Sequence, residues 1–337
     1  MKIPACIVVA FLVSCAGPKP VEPEKKASSL ALLVEKMDPG LDQIVPAGVT
    51  YEKLGGGFDF TEGPVWVNTG GYLLFSDIPR NTIYKWTPGG TATEFRKPSG
   101  YDGTDAPAGA FIGSNGLTLD KEGRLTICQH GNGRVVRVEA DGKLTMLADK
   151  FEGKRLNSPN DAVYKSDGAL YFTDPPYGFP KQDDDPKKEL KFNGVYRLAG
   201  GKLTLLYREL KRPNGIAFSP DEKSIYVGNS DEKRKIWMKF DVTADGGIAN
   251  GKVIHDATAD TADGLPDGLK VDKQGNLYAT GPGGIHVFSG EGKPLGKLVF
   301  PEIPANLHWG DADGKTLYVT ARTGLYKTRL NIEGIRP

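Results

Sequence analysis

Six carboxylate or amide side chains recur along this chain of 337 residues, each ten or eleven residues before a similar strand-like segment. They are two acids and four amides: Glu62, Asn115, Asn160, Asn214, Asp267 and Asn306. Carboxylate and amide oxygens suit a hard divalent cation such as Ca²⁺ or Mg²⁺, and two acids would neutralise one such ion. Alternatively, these side chains only cap turns, as Asn and Asp often do. We favour the metal interpretation, because turn capping does not require acids in two units and amides in the others.

The strand-like segments that follow these residues recur every 40 to 55 residues, anchored on Leu73, Leu125, Leu170, Ile225, Leu277 and Leu317. This spacing is typical of four-stranded propeller blades. Within each unit, a polar residue beside Gly or Pro, a short apolar run, a turn and an alternating strand predict a hairpin. We therefore predict an all-β fold, a six-bladed β-propeller in which the six polar residues converge on one end of the central channel.

The second strand of each blade should return beside the same end of the channel. Its last residues, four positions after each anchor, are then candidates for a pocket wall: Asp77, Gln129, Asp174, Asn229, Gly281 and Ala321. His130 follows Gln129, and the DPPYGFP motif at 174–180 presents Tyr177, followed by a charged segment at 181–190 that could act as a lid. The alternatives are structural: the acids could cap turns, and Tyr177 could pack on the next blade. His130 and His308 could equally line the pocket or make structural hydrogen bonds.

The first residues have the pattern of a secretory signal, with Lys2 followed by an apolar stretch over 3–13. The sequence LVSC at 12–15 resembles a bacterial lipobox, which implies cleavage before Cys15 and its lipidation; the alternative is an ordinary signal with an incidental cysteine. We predict a signal peptide over 1–14, a lipidated tether over 15–45 with a short helix over 28–37, and a propeller over 46–337. The expected location is the bacterial cell envelope, on the periplasmic face of the outer membrane, because Ala16 follows the cysteine.

Composition excludes several classes of function. The net charge of +1, without a basic or aromatic stripe, gives no electrostatic basis for binding nucleic acid. Three cysteines, of which Cys6 and Cys15 fall in or beside the signal, provide no disulfide framework. No G-x-S-x-G motif indicates a serine hydrolase. Membrane contact is expected only through the N-terminal anchor.

Four motifs in order carry a resemblance to a known family: TEGPVW (61–66), RLNSPNDAVYKSDGALYFTDPPYG (155–178), RPNGIAFSPDEKSIYV (212–227) and LPDGLKVDKQGNLYAT (265–280). Over about residues 50–328 the chain resembles the gluconolactonase/regucalcin family, also called the senescence-marker-protein family, and its bacterial gluconolactonases in particular. The resemblance implies a propeller with one catalytic divalent cation, most often Ca²⁺, with Mg²⁺, Zn²⁺ or Mn²⁺ as alternatives. The implied ligands are Glu62, Asn214 and Asp267, with Asn160 as a fourth ligand or substrate contact. Ser158 stands where the regucalcin branch has an arginine, so sugar specificity stays open.

The reaction implied is hydrolysis of a sugar lactone, such as glucono-1,5-lactone to gluconate. Asp267 is the expected acid/base as well as a ligand, and His130 is a second candidate for the base. The expected substrate contacts are Asn115, Asn160, Asp174, Tyr177, Asn229 and His308. Two alternatives remain: a phosphotriesterase-like hydrolase that uses the same ion site, and a non-enzymatic Ca²⁺-binding propeller of the envelope.

Overall fold

A computed structural model of the protein describes residues 29–336 and confirms the predicted all-β architecture. The described chain begins with short elements: β1 (Leu30–Ala31), β2 (Leu33–Lys36), α1 (Leu41–Ile44) and β3 (Thr50–Gly55). The residues that follow form six four-stranded blades, and β3 completes the last of them. The predicted signal peptide, Cys15 and the first part of the tether lie outside the described residues.

Blades 1 to 4 each consist of four consecutive antiparallel strands. Blade 1 contains β4 (Thr61–Val67), β5 (Tyr72–Asp77), β6 (Thr82–Trp86) and β7 (Thr93–Arg96). Blade 2 contains β8 (Ser114–Leu119), β9 (Leu125–Gln129), β10 (Arg134–Val138) and β11 (Leu144–Ala148), and it is followed by a small hairpin of β12 (Lys150–Phe151) and β13 (Lys154–Arg155). Blade 3 contains β14 (Ala162–Tyr164), β15 (Leu170–Asp174), β16 (Gly194–Ala199) and β17 (Lys202–Tyr207). Blade 4 contains β18 (Pro213–Phe218), β19 (Ser224–Asp231), β20 (Arg234–Val242) and β21 (Ile248–Asp256).

Blades 5 and 6 take strands from both ends of the described chain. Blade 5 contains β22 (Leu269–Val271), β23 (Leu277–Gly281), β24 (Gly284–Phe288) and β25 (Pro294–Val299), with β2 added at its outer edge. Blade 6 contains β26 (Pro304–Gly310), β27 (Thr316–Ala321) and β28 (Gly324–Arg329), then β3 and β1. The pairing of β3 with β28 joins the two ends of the ring.

The ring is closed, because the innermost strand of each blade contacts the innermost strands of both neighbours. These strands are β4, β8, β14, β18, β22 and β26, and β26 returns to β4. Apolar side chains fill the space between neighbouring blades, as Val65 and Leu74 of blade 1 do with Leu117 and Ile127 of blade 2. Each inner strand is the end strand of its sheet, so the ring arrangement leaves only short, protected strand edges at the channel.

The N-terminal segment corrects two predictions. Instead of a helix over 28–37, the chain forms β1, which pairs with β3, and β2, which pairs with β25. The unpaired outer edges of these strands offer backbone hydrogen bonds that outweigh the helical preference of the sequence. Leu32, Leu41 and Ile44 are buried in the apolar cluster between blades 5 and 6, so residues from 30 onward belong to the propeller rather than to a tether. Within the described residues, no helix has the length and apolar character needed to cross a membrane.

Candidate metal and substrate site

The six ring residues of the sequence meet at one end of the channel, as predicted. Five of them line a cavity of about 300 Å³: Glu62, Asn115, Asn160, Asn214 and Asp267. Asn306 lies directly behind Glu62 and donates a hydrogen bond from Nδ2 to Oε2 of that residue at 2.9 Å. The cavity is at the small end of the range for small-molecule sites.

Glycines allow the ring residues to approach one another. In four blades a glycine follows the ring residue, and a Cβ atom added to it would collide with the ring residue of the next blade. The contacts would be 2.0 Å for Gly63 with Asn115 O, 2.4 Å for Gly116 with Asn160 O, 2.3 Å for Gly215 with Asp267 O and 2.1 Å for Gly268 with Asn306 Cγ. The repeated pair of a polar residue and a glycine is therefore a signal of convergence that the sequence analysis did not use.

Buried hydroxyl groups of the second strands fix the same junctions. Ser76 Oγ donates to the carbonyl oxygen of Asn115 at 2.8 Å, and Thr173 Oγ1 donates to that of Asn214 at 2.7 Å. Thr280 Oγ1 lies 3.0 Å from the carbonyl oxygen of Ala305. The first two bonds tie one blade to the ring residue of the next blade, and the third ties blade 5 to the residue before Asn306. The positions of the ring side chains therefore follow from the packing of the blades.

Glu62 is a buried acid without a basic partner in contact. Its Oε2 accepts hydrogen bonds from the backbone N–H of Gly63 at 2.5 Å and from Asn306. Burial, and to a lesser degree the nearby carboxylate of Asp161, outweigh the two hydrogen bonds and raise the pKa of Glu62 to about 7. A cation beside Glu62 would favour its charged form at neutral pH.

Asp267 lies next to Glu62 at the wall of the cavity and is half-buried. Burial, followed by repulsion from Glu62 and Asp161, raises the pKa of Asp267 well above its usual value. The two acids also interact through a side-chain hydrogen bond, which requires a shared proton when no cation separates them. Such a pair is the arrangement expected where a divalent ion binds between two carboxylates.

The amides next to these acids leave their oxygens free. Oδ1 of Asn115 and Oδ1 of Asn214 are buried and have no hydrogen-bond partner. Asn214 Nδ2 donates to Ser230 Oγ at 2.8 Å, and Ser230 donates to the carbonyl oxygen of Pro266, so the amide is held with its oxygen turned away from Ser230. Unpaired buried oxygens are costly unless something binds them. Two carboxylates and these amide oxygens thus fit a Ca²⁺-type ion. Residues 29–336 contain no cluster of three His, Cys, Asp or Glu side chains that could hold a metal without amide ligands.

His130 contacts the fourth amide of this set. Its Nδ1 lies 3.2 Å from the carbonyl oxygen of Phe111, which can only accept, so Nδ1 carries the proton. Its Nε2 is then an acceptor and lies 3.4 Å from Nδ2 of Asn160. Complete burial lowers the pKa of His130 to about 4, so the ring is neutral at pH 7. This contact turns the Asn160 oxygen away from the imidazole.

Aromatic and aliphatic side chains form the rest of the wall. They are Phe60, Ile78, Phe111, Tyr177 and Leu265. Tyr177 interacts with the side chains of Ser230 and Asn214, and burial raises its pKa. Gln182 lines the cavity from the short 3₁₀ turn Gln182–Asp184, and its Oε1 accepts a hydrogen bond from Arg212 Nη2 at 3.1 Å. The segment predicted as a lid therefore contributes a side chain to the pocket edge. Sequence reasoning missed Ser230 and Gln182. Ser230 stands five positions after its anchor Ile225, as His130 does after Leu125, so the blade repeat could have identified it, whereas Gln182 follows no blade-to-blade repeat.

Two predicted substrate contacts, Asp174 and Asn229, are turned away from the cavity. Asp174 Oδ2 accepts from the backbone N–H of Asn157 at 2.8 Å, and burial raises its pKa to about 7. Asn229 Oδ1 accepts from the N–H of Arg212 at 2.8 Å, and its Nδ2 donates to the carbonyl oxygen of Arg234 at 2.8 Å. The two side chains hold neighbouring chain segments together, which for Asp174 is close to the structural alternative of turn capping, and a contact with substrate is not supported for either.

His308 also lies outside the cavity. Two residues along the strand from Asn306, it lines a separate cavity of about 120 Å³ deeper in the channel, together with Lys270 and Ile335. Its Nδ1 lies 2.7 Å from the carbonyl oxygen of Trp309, and burial lowers its pKa to about 3. His308 is close to Asn306 in sequence but lies outside the pocket, because the inner strand runs along the channel and each later residue on it lies deeper.

A family model described as the SMP-30/gluconolactonase/LRE-like region matches residues 60–323. The chain belongs to this family. The match covers all six ring residues and every inner strand, so the family and the candidate site occupy the same part of the molecule.

Three relatives are informative. A gluconolactonase of Zymomonas mobilis is 38% identical over 312 residues, which is 89% of this chain and 87% of that protein. The solved structure of a gluconolactonase from Xanthomonas campestris is 30% identical with a TM-score of 0.79, covering 93% of this chain and 98% of that chain. The diisopropyl-fluorophosphatase of Loligo vulgaris is 28% identical over 192 residues, 54% of this chain and 60% of that protein. The relatives of this chain thus include gluconolactonases and a diisopropyl-fluorophosphatase.

Proposed function

We propose that this protein is a cation-dependent hydrolase that opens sugar lactones, with glucono-1,5-lactone converted to gluconate. The proposal rests on the neighbouring acids Glu62, which is buried, and Asp267, which is half-buried, beside the unpartnered amide oxygens of Asn115 and Asn214. This donor set lines a cavity large enough for a six-carbon lactone. Relatives named gluconolactonase support the same assignment.

Four residues would hold the cation: Glu62, Asn160, Asn214 and Asp267. We expect Ca²⁺, since the donors are all oxygens and two of them are carboxylates. When bound, the ion would act as a Lewis acid towards the lactone carbonyl oxygen. Asn115, whose free oxygen faces the same region, provides a further donor for the ion or for a substrate hydroxyl.

Asp267 is the base in this proposal, and His130 is a positioning residue. Asp267 lies at the cavity wall and is the more exposed of the two acids, so a water molecule beside the lactone can reach it. His130 is buried, has a low pKa and already accepts from Asn160. It holds the Asn160 amide with its oxygen towards the site. A neutral imidazole that already accepts a hydrogen bond suits this role better than that of the base.

Tyr177 and Gln182 provide polar groups for the sugar hydroxyls at the rim, while Phe60 and Phe111 limit the room on the opposite side. The ring centroids of Phe60 and Phe111 are 5.0 Å apart. Water adds across the acyl C–O bond of the lactone, and the product is an aldonic acid that releases one proton at neutral pH. Acid release therefore reports turnover directly.

The experiment uses a chain of residues 29–337 and follows acid release from glucono-1,5-lactone at constant pH. The protein is assayed as purified, after chelation, and after Ca²⁺ is restored. We expect the rate to fall to the spontaneous rate on chelation and to recover with Ca²⁺. Glu62→Gln should abolish the recovery, whereas Asn229→Ala, a matched amide outside the cavity, should keep it. An unchanged rate after chelation would contradict the proposal.

A phosphotriesterase-like activity is the second candidate, since the fluorophosphatase of Loligo vulgaris matches about half of this chain. The same protein is assayed with diisopropyl fluorophosphate and with the lactone. A higher kcat/KM for the phosphorus compound would replace the lactonase assignment. Ca²⁺ binding without turnover of either compound would instead favour a binding protein.

We also propose that Cys15 is lipidated and that the protein is attached to the periplasmic face of the outer membrane. The support is the LVSC sequence at 12–15 and the Pro-rich stretch that follows it. Mass spectrometry of the mature full-length protein should show a diacylglyceryl-modified N-terminal cysteine, which Cys15→Ser would abolish. A mature N-terminus without lipid would contradict this location.

A further inference from the structure

A third buried carboxylate lies beside the candidate cation site. Asp161 follows the ring residue Asn160 directly, where four other blades have glycine, and only 2% of it is exposed. Its Oδ1 accepts from the N–H of Ala162 at 2.9 Å. A Cβ atom added to Gly116 of the previous blade would lie 3.0 Å from the same oxygen, so Asp161 fills the junction between blades 2 and 3 at the channel.

Lys270 brings a positive charge into the same channel. It lies on β22, three residues after Asp267, and its Nζ is 3.5 Å from Asp161 Oδ2. The ammonium also donates to the carbonyl oxygen of Leu269 at 3.0 Å, and 17% of the side chain is exposed. Lys270 lines the deeper cavity of about 120 Å³ rather than the substrate cavity. The ion pair therefore lies deeper in the channel, below the two acids of the site.

The charges of Asp161 and Lys270 act electrostatically on the two acids of the site. Asp161 raises the pKa values of both Glu62 and Asp267, and Lys270 lowers that of Glu62. These directions are those of two fixed charges of opposite sign close to the acids. Solvent screens such interactions weakly inside a protein, so they also act on a bound ion.

We infer that the Asp161–Lys270 ion pair is a charge-setting element that tunes cation affinity and favours a divalent ion. With all carboxylates ionised, Glu62, Asp161 and Asp267 contribute three negative charges and Lys270 one positive charge, so one divalent ion makes the channel neutral. This inference rests on the cation site of the proposed function. Neither residue is a ligand; each is a positioning residue that acts through the electric field.

The test measures the dissociation constants of Ca²⁺ by calorimetry and of Tb³⁺ by luminescence in chains of residues 29–337. Four variants are compared with the wild type: Lys270→Met, Asp161→Asn, the double variant, and Lys270→Arg as a control that keeps the charge. Lys270→Met should bind Ca²⁺ about tenfold more tightly and Asp161→Asn about tenfold more weakly, because one unit of charge is removed from a buried site. The double variant restores the net charge and should return close to the wild-type value.

Ion valence provides a second readout that a purely structural role would not change. Lys270→Met should improve the binding of Tb³⁺ more than that of Ca²⁺, since a trivalent ion then neutralises the channel. Lys270→Arg should behave as the wild type for both ions. Lys270→Gln, which can still donate to the carbonyl of Leu269, provides a second neutral variant if Lys270→Met unfolds.

Two results would overturn the inference. If Lys270→Met, or Lys270→Gln, and Asp161→Asn both weaken Ca²⁺ binding, the pair is a structural support and not a charge-setting element. If the double variant binds Ca²⁺ more weakly than either single variant, charge balance is not what matters. Failure of the wild-type protein to bind Ca²⁺ or Tb³⁺ would instead reject the cation site of the proposed function, which keeps the two failures distinct.

Discussion

Asn306 donates a hydrogen bond to Glu62 at 2.9 Å across the seam where blade 6 meets blade 1, and 244 residues separate the two in sequence. β3, which precedes blade 1 in the chain, pairs with β28 on the outer side of blade 6. Closure of the ring and assembly of the site are therefore one event: Glu62 gains its amide partner only when the last blade is in place.

Asn306→Ala should weaken Ca²⁺ binding about tenfold to a hundredfold, the usual effect of losing a hydrogen bond that orients a ligand. The amide bond stabilises the charged form of Glu62, so its removal leaves a buried carboxylate harder to ionise. Calorimetric titration with Ca²⁺ at pH 7 measures the change. Asn229→Ala, which removes a buried amide away from the cavity, is the control; an equal loss of affinity in both variants would show that the effect comes from general destabilisation.

Gly215→Ala should destabilise the fold by about 2 kcal/mol or more, because the new Cβ would lie 2.3 Å from the backbone oxygen of Asp267. The clash also moves a residue of the site, so activity should fall together with stability. Gly90→Ala is the matched control, since its Cβ would approach Thr87 O to only 3.4 Å. Urea unfolding of both variants compares them, and equal stabilities would mean that close approach of the blades is not required.

A chain that begins at residue 46 should lose about 5 kcal/mol or more of stability relative to one that begins at residue 29. The shorter chain lacks Leu32, Leu41 and Ile44, three buried apolar residues, and leaves the outer edges of blades 5 and 6 unpaired. Thermal and urea unfolding of the two purified chains measure the difference. Identical transitions would support the propeller boundary at residue 46 that the sequence predicts, and would show that the N-terminal strands are dispensable.

Protonation of the buried His286 should destabilise the fold as the pH falls, and the raised pKa values of Glu62 and Asp174 act in the opposite direction. His286 is buried, and its imidazole ring lies against Trp237. Burial lowers its pKa from 6.5 to about 4. Between these two values His286 binds more protons in the unfolded chain than in the folded one, so its contribution to stability rises with pH in this window and is lost as pH falls. His286→Gln should reduce the slope by up to about 1.4 kcal/mol per pH unit. Urea unfolding from pH 4.5 to pH 7 provides the measurement, and an unchanged slope would contradict it.

The sequence predicts the ring architecture well, because the blade repeat is local. Each hairpin carries its own turn and alternating strand, as in 212–228, and each ring residue keeps a fixed distance from its anchor. Equivalent positions in equivalent blades must meet at the channel, which is why Glu62, Asn115 and Asn214 were identified without a structure.

Features that depend on contacts between distant segments were not predictable. The helix expected over 28–37 became strands because free edges of blades 5 and 6 were available to pair with it. Asp174 and Asn229 were expected in the pocket because the ends of the second strands were treated as equivalent, yet each side chain is held by the backbone of a preceding loop. Gln182 reaches the cavity from the 3₁₀ turn Gln182–Asp184, which follows no blade repeat.

The most direct test of a single cation-dependent lactonase site is a titration of activity with Ca²⁺. Metal-free chains of residues 29–337, at a concentration well above the dissociation constant, receive increasing Ca²⁺ while acid release from glucono-1,5-lactone is recorded. We expect a linear rise that ends in a plateau at one equivalent of Ca²⁺ per chain. Full activity in the metal-free protein, or none at any Ca²⁺ concentration, would contradict it.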